Sequence, residues 1–126
     1  ARIEDHRMHE ERFGFPAVAA AALNRALDQD RRIVCCGTTS VRALEGALAH
    51  GGGTVTPGWD RTDLFITPGY RFRGVGGLLT NYHLPKSTLL MLVSALAGRE
   101  RILEAYREAV EQRYRFFSYG DAMLIL

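Results

Sequence analysis

One stretch decides the fold, Leu78–Gly98, and its sequence is LLTNYHLPKSTLLMLVSALAG. Its first residues are apolar and are typical of a buried strand, and a polar turn follows them. Pro85 suits the first turn of a helix, and after Lys86, Ser87 and Thr88 an apolar run extends from Leu89 to Ala97. Because that run is apolar on nearly all sides, we expect a buried helix with Gly98 as its C-terminal cap.

Lys86 and Ser87 at the start of this helix suggest a phosphate-binding P-loop. The motif G-x-x-x-x-G-K-[ST] would place its two glycines at Thr80 and Pro85. Proline has no N–H to offer, and threonine does not easily adopt the conformations of glycine, so we exclude a P-loop. The turn still favours a ligand, because first-turn N–H groups attract anions and open α/β sheets bind ligands at the carboxyl ends of their strands.

A second turn of the same kind occurs in CGTTSVR, residues 36–42. A predicted buried strand ends at Gly37, and three hydroxyl residues and an arginine open the next helix. Such a turn can form a pocket wall for phosphate, ribose or carboxylate, or one hydroxyl can simply cap the helix. Because both turns follow buried strands, we expect residues 37–42 and 80–88 to meet at one edge of the sheet.

A third polar segment is RYRFFSYGD, Arg113–Asp121. Arginine interleaved with aromatic residues can hold phosphates and stack on bases. Alternatively, the phenylalanines fill the core while Arg113 and Arg115 are solvated. We expect at least one of Phe116 and Phe117 to pack in the core.

Apolar patterning predicts the remaining elements. Helices are expected from Pro16 to about Asp30, around Val41–Leu48 and around Ile102–Val110. Strands are expected at residues 31–37, 63–66, 70–73 and 122–126, and a loop at residues 50–59. The first and last of these strands are expected to be buried, and the strand at 70–73 to be half-exposed or an arm of a hairpin. Short strands alternating with helices indicate an α/β fold, with a mainly parallel buried sheet and flanking helices, in one domain over residues 1–126.

Composition is that of a globular protein, with 47% hydrophobic and 24% charged residues and a net charge of +2. Lys86 is the only lysine among 16 basic residues, and arginine suits bidentate contacts to phosphate and carboxylate, although the bias can equally reflect the source organism. Cys35 and Cys36 are neighbours in a strand, so we expect them to point to opposite faces as small buried thiols of a cytoplasmic protein. His6 and His9 form an H-x-x-H pair beside carboxylates that could bind a metal, but no second cluster of ligands has a recognisable metal spacing, so we expect no metal site. No apolar run is long enough to cross a membrane.

Several motifs together resemble one family, the S-adenosylmethionine:tRNA ribosyltransferase-isomerases of queuosine biosynthesis. The motifs, in chain order, are IEDHRMH, GTTSVRALE, DLFITPGYRF, LLTNYHLPKSTLLMLVSALAG and YRFFSYGDAM. The resemblance extends from Ile3 to about Ile125. Tyr82 and Leu124 stand where phenylalanine is usual in the family, and both are mild exchanges.

The resemblance implies transfer of the ribosyl group of S-adenosylmethionine to the aminomethyl-deazaguanine wobble base of a tRNA anticodon, giving epoxyqueuosine. S-adenosylmethionine is then a consumed substrate, and no cofactor is expected. The catalytic candidates are His83, Asn81 and Lys86. His83 can serve as a base, and Asn81 or Tyr82 can bind the edge of adenine. Lys86, Arg42 or a helix N-terminus can bind the methionine carboxylate. Substrate-binding candidates are Thr38, Thr39, Ser40, Arg42, Thr80, Ser87, Thr88, Tyr119 and Asp121. RNA-binding candidates are Arg71, Arg73, Arg113 and Arg115.

Members of this family are considerably longer, and this sequence resembles their C-terminal part. We therefore expect a fragment of a larger two-domain enzyme that folds but is inactive without the N-terminal part. Two alternatives stay open at this point. The chain could be a non-catalytic RNA-binding module, against which the small net charge argues weakly, or a small nucleotide-binding α/β domain with a phosphate at Ser87.

Overall fold

A computed structural model describes residues 10–82, 88–116 and 120–126. Within these ranges the chain forms five strands and four helices, and the core lies between a three-stranded sheet and the helices. The elements in chain order are β1 (Glu11–Phe15), α1 (Ala17–Asp28), β2 (Ile33–Cys36), α2 (Thr38–His50), β3 (Gly58–Thr62), β4 (Val75–Asn81), α3 (Thr88–Ala97), α4 (Arg99–Glu111) and β5 (Ala122–Ile125).

The larger sheet has the strand order β2-β4-β5. Strands β2 and β4 are parallel, with Cys36 opposite Leu79, whereas β5 is antiparallel to β4, with Leu124 opposite Leu79. The α/β fold class is confirmed, but the expectation of a mainly parallel sheet is wrong, because the sheet is mixed.

Two consecutive helices explain the direction of β5. A single helix after β4 would carry the chain back across the sheet and allow another parallel strand. Here α3 and α4 pack against each other and are joined at Gly98, and the ring of Tyr82, just after β4, contacts the ring of Phe116, just after α4. The chain therefore returns to the end of the sheet at which β4 finishes, and β5 starts from that end.

A separate two-stranded antiparallel sheet pairs β1 with β3 and was not predicted. Both segments contain charged residues and glycine. In β1 the half-buried Phe13 and Phe15 alternate with exposed residues, whereas β3 is exposed except at Thr62 and shows no such alternation. Gly14 lies under the ring of Trp59, and a Cβ atom at residue 14 would come within 2.9 Å of that ring. The guanidinium of Arg12 lies 5.5 Å from the centre of the same ring, and Trp59 is 76% exposed.

The strands predicted at residues 63–66 and 70–73 are wrong, because this segment is a loop. Its backbone polar groups bond to side chains of α2 rather than to a neighbouring strand. Nε of Arg42 donates to the carbonyl oxygen of Leu64 at 3.0 Å, and the backbone N–H of Arg73 donates to Glu45 at 2.7 Å. The segment resembles a strand in sequence because Ile66 is buried, but its backbone does not pair with a neighbouring strand.

The predicted helices α1, α2 and α4 are confirmed, as is the burial of α3, in which no residue from 89 to 97 is exposed. Gly98 ends α3 with a φ of 93° and an N–H bond to the carbonyl oxygen of Ser94. The start predicted at Pro85 lies outside the described residues. In the part of the chain that the structure describes, no helix is long and apolar enough to span a membrane.

Two expectations about exposure are wrong. Cys35 is buried and Cys36 is exposed, and both thiols are free. They do point to opposite faces, as predicted, but the described residues cover only one face of the sheet. For the same reason β5 is not a buried strand, and Leu124 is 58% exposed.

Candidate functional site

The carboxyl ends of β2 and β4 lie side by side at one edge of the sheet. The backbone N–H of Gly37, directly after β2, donates to the carbonyl oxygen of Leu79 in β4 at 2.8 Å. We call this edge the rim and define it as residues 37–40 and 80–82. The predicted meeting of the two turns is confirmed for these residues, whereas residues 83–87 lie outside the described part of the chain.

The start of β5 adds a third segment to the rim. The backbone N–H of Tyr82 donates to the carbonyl oxygen of Asp121 at 3.3 Å, and Nδ2 of Asn81 donates to the carbonyl oxygen of Gly120 at 3.4 Å. Asp121 and Asn81, predicted separately from distant motifs, are therefore brought together. Thr80, next to Asn81 in β4, is buried.

The carboxylate of Asp121 is engaged by Arg115. Its Oδ2 atom accepts a hydrogen bond from the backbone N–H of Arg115 at 2.7 Å, and its Oδ1 atom lies 3.5 Å from the guanidinium. These contacts, with the backbone hydrogen bond first, hold the pKa of Asp121 below its usual value. Asp121 therefore presents a negative charge at the rim and ties Arg115 to the start of β5.

Helix α2 begins at the rim without a side-chain cap. Gly37 occupies the N-cap position with a φ of 91°, which favours glycine. Of the two alternatives left open for the hydroxyls, the capping role is not realised. Ser40 donates from Oγ to the carbonyl oxygen of Cys36 at 2.9 Å, and Thr39 is exposed while Thr38 is buried. The first-turn N–H groups of α2 thus face the rim with partial positive charge.

Arg42 is directed into the protein rather than toward the rim. It is 2% exposed, and its guanidinium bonds to the carbonyl oxygen of Leu64 and forms a salt bridge with Glu11. These contacts join α2 to β1 and to the loop before β4. In this structure Arg42 holds the scaffold behind the rim.

Glu45 is a buried charged residue that is not among the site residues predicted from the sequence. It is fully buried, and its carboxylate accepts four hydrogen bonds, from the hydroxyl of Tyr70 at 3.0 Å and from the backbone N–H groups of Arg73, Gly74 and Val75 at 2.7, 2.9 and 3.1 Å. A signal was present, because Glu45 lies on the apolar stripe of α2, where a charge is unusual. The contacts assign Glu45 to the positioning of the chain as it enters β4.

Burial and the charge of Glu45 change two neighbouring groups. Burial first, and then Glu45, raises the pKa of Tyr70 to about 12 and that of Cys35 to about 11. Both groups therefore stay protonated at neutral pH.

An aromatic cluster lies beneath the rim. The ring of Tyr82 is 5.2 Å from that of Tyr106, 6.0 Å from that of Tyr114 and 5.5 Å from that of Phe116. Burial is the first cause of the raised pKa of Tyr82. Phe116 packs against the core, which confirms that at least one phenylalanine of this segment does so, whereas Phe117 lies outside the described residues.

The four arginines predicted to bind RNA lie at two ends of the sheet. Arg113 and Arg115 are exposed close to the rim, and Arg71 and Arg73 are exposed before the start of β4. Strand β4 separates the two pairs by roughly 20 Å at about 3.3 Å per residue. Arg73 lines a cleft of about 400 Å³ at the far end, with Arg31 and Arg32 from the chain before β2.

Four predicted site residues lie outside the described part of the chain, namely His83, Lys86, Ser87 and Tyr119. Thr88 is the first residue of α3. Among the described residues, no group of three or more His, Cys, Asp or Glu side chains could hold a metal ion.

Comparison with known proteins gives consistent results. The family model described as "Queuosine biosynthesis protein" matches residues 1–125. The chain is 57% identical to the S-adenosylmethionine:tRNA ribosyltransferase-isomerase of Heliobacterium modesticaldum over 125 residues, covering 99% of this chain and 36% of that protein. It is 61% identical to the protein of the same name from Symbiobacterium thermophilum, over 98% of this chain and 37% of that protein.

A solved structure is also similar, the crystal structure of S-adenosylmethionine tRNA ribosyltransferase from Thermotoga maritima. The match has a TM-score of 0.80 and 48% identity, and it covers 91% of this chain and 40% of that one. The present chain thus spans little more than a third of the length of the curated relatives. From the family model and the identities across almost its whole length, the chain belongs to the family of queuosine biosynthesis proteins.

Proposed function

We propose that this chain is the C-terminal part of an S-adenosylmethionine:tRNA ribosyltransferase-isomerase. The observation that carries the proposal is the identity of 57% and 61% to proteins of that name over nearly all of this chain. The rim supports it, because hydroxyl, amide and carboxylate groups from three distant segments meet there at the carboxyl ends of parallel strands.

In the proposed reaction, the ribosyl group of S-adenosylmethionine moves to the aminomethyl-deazaguanine wobble base of a tRNA anticodon, and the product is epoxyqueuosine. Adenine and methionine leave, so S-adenosylmethionine is a consumed substrate and no cofactor is required. The sulfonium acidifies the adjacent ribose carbon. A base is therefore needed beside that carbon, and His83 is proposed for the task because the reference pKa of a histidine side chain lies near neutral pH, at about 6.5.

The other reactive groups can be matched to residues of the rim. Adenine needs a partner for its edge as it departs, and the amide of Asn81 can supply one. The methionine carboxylate needs a cation or free N–H groups, for which Lys86 and the uncapped first turn of α2 are proposed. Arg42 is a weaker candidate for this carboxylate, because its guanidinium already binds Glu11 and Leu64.

The anticodon backbone requires positive charge around the reacting base. Arg113 and Arg115 are proposed to contact the nucleotides next to the wobble position, since both are exposed close to the rim. Arg71 and Arg73 are proposed to contact phosphates farther along the RNA. On this proposal the chain works in the cytoplasm, where reduced thiols persist.

We further propose that this chain is inactive alone and needs the rest of the family's length as its partner. The decisive experiment joins this chain to the N-terminal part of the Heliobacterium modesticaldum relative and compares the joined protein with the isolated chain. Release of adenine from S-adenosylmethionine in the presence of acceptor tRNA is expected only from the joined protein. Release by the isolated chain would refute the inactivity, and no release by a folded joined protein would refute the enzymatic proposal.

A non-catalytic RNA-binding module is the second candidate, and the exposed arginines at both ends of the sheet favour it. Titration of the joined protein with S-adenosylmethionine and with an unmodified anticodon stem-loop separates the two functions. Binding of both ligands supports the enzyme, whereas binding of RNA alone supports the module.

A further inference from the structure

One face of the three-stranded sheet is apolar and open. Successive side chains of a strand point to opposite faces, and the register places Cys36 of β2 beside Leu79 of β4 and Leu124 of β5. Val34, paired with Gly77, and Leu126, just after β5, extend the same face. The exposed fractions are 48% for Val34, 41% for Leu79, 58% for Leu124 and 67% for Leu126.

The opposite face of the same sheet is covered. Cys35 and Leu78, which alternate with the residues above, are 7% and 0% exposed and belong to the core. A sheet with apolar side chains on both faces is typical of a layer buried between two others. The described residues supply only one of those two layers.

The open face is continuous across Gly77. A Cβ atom at Gly77 would lie 3.2 Å from Cγ2 of Val34 and 3.3 Å from Cδ2 of Leu126, so these two side chains close over the glycine from both neighbouring strands. Because Gly77 has no side chain, none projects from the face at this residue, and another layer can pack on the face at a distance of about 10 Å. We define this open face by Val34, Cys36, Leu79, Leu124 and Leu126.

We infer that the open face is the docking surface for the part of the family's protein that this chain lacks. The curated relatives are nearly three times as long as the chain, since it covers 36% and 37% of them. An intramolecular partner of that length meets the face at high effective concentration, whereas a second copy would depend on protein concentration. The inference rests on one part of the proposed function, namely that this chain works together with the N-terminal part of the protein. It does not depend on the proposed ribosyl transfer.

Cys36 provides a reporter inside the open face. The test uses the protein that joins this chain to the N-terminal part of the Heliobacterium modesticaldum relative, and it measures the rate of maleimide labelling at each cysteine by mass spectrometry. A reference cysteine is introduced by Val110→Cys, because Val110 is 68% exposed on α4, away from the open face. We expect Cys36 to be labelled at least about tenfold more slowly than the reference, and Leu124→Glu to accelerate its labelling without changing the rate at the reference.

Equal labelling of Cys36 and the reference cysteine in a folded joined protein would overturn the inference. Protection of Cys36 that disappears on dilution would also overturn it, because it would indicate a second copy. If the joined protein fails to fold, the two parts are mixed as separate chains. Labelling of Cys36, but not of the reference cysteine, is then expected to slow down and to reach a plateau as the concentration of the N-terminal part is raised. The same slowing at both cysteines, or none, would contradict the inference. Labelling is read without turnover, so failure of the proposed reaction leaves this test interpretable.

Discussion

The carboxylate of Glu45 accepts a 3.1 Å hydrogen bond from the backbone N–H of Val75, thirty residues farther along the chain. This contact ties the middle of α2 to the first residue of β4. Since β4 carries Thr80 and Asn81 at its other end, the position of the rim depends on a buried charge at the opposite end of the strand.

Substitution Glu45→Gln should lower the free energy of unfolding by about 2–4 kcal/mol. Glutamine keeps one acceptor oxygen but places an NH₂ group against backbone donors that are buried. Urea denaturation of the chain measures the change. Glu104→Gln on the exposed side of α4 is the matched control and should be nearly neutral. Equal stability of the two variants would show that the carboxylate of Glu45 is not required.

Stability should fall above pH 10 in a way that depends on Tyr70. Burial and Glu45 raise the pKa of Tyr70 to about 12, above its ordinary value of 10.0. The folded state therefore holds this proton more tightly than the unfolded state. The resulting stability is complete below pH 10 and is lost as the pH rises from about 10 to 12. Unfolding free energies at several pH values should decline less steeply in Tyr70→Phe than in the unchanged chain, and Tyr114→Phe serves as the control.

The two neighbouring cysteines of the isolated chain should differ strongly in reactivity. Cys35 is buried with its pKa raised to about 11, so at pH 8 only about one molecule in a thousand carries its thiolate. Cys36 is exposed on the open face. Mass spectrometry after brief treatment with maleimide should find modification at Cys36 and almost none at Cys35. Comparable modification of both would mean that the isolated chain does not keep this fold.

Thr39→Val in the joined protein should weaken binding of S-adenosylmethionine by about five- to tenfold, which corresponds to one hydrogen bond. Thr39 is exposed in the first turn of α2 at the rim, so its hydroxyl is available to a ligand and its loss should not affect stability. Calorimetric titration measures the affinity. Thr56→Val, at an exposed threonine away from the rim, is the control, and the same affinity in both variants would exclude Thr39 from the donor site.

Replacement of Arg113 and Arg115 by glutamine should reduce the salt dependence of binding to an anticodon stem-loop. Two lost phosphate contacts lower the slope of log K against log salt by about 1.4 to 1.8. Fluorescence anisotropy at several salt concentrations gives this slope. The matched control replaces Arg99 and Arg101, which are also exposed and lie on α4. An unchanged slope in the first variant, or an equal loss in the control, would argue against a specific role for Arg113 and Arg115.

Helices and the rim were predictable from sequence because they depend on local signals. Apolar spacing defined α1, α2 and α4, and two strand–turn–helix segments implied a shared edge. The direction of β5 was not predictable in this way, since it depends on the packing of α3 against α4. The local sequence of the loop before β4 predicts strands, because nothing in it indicates that Glu45 and Arg42 bind its backbone.

Trp59 is the only tryptophan of the chain and lies on the ribbon formed by β1 and β3, 76% exposed. Its indole emission should therefore resemble that of tryptophan in water even in the native protein. Tryptophan fluorescence would therefore change when this ribbon frays or when Arg12 moves relative to the indole. It would change very little when the sheet that carries the rim unfolds. The tyrosines around Tyr82, through near-ultraviolet circular dichroism, are the intrinsic chromophores that report on that region.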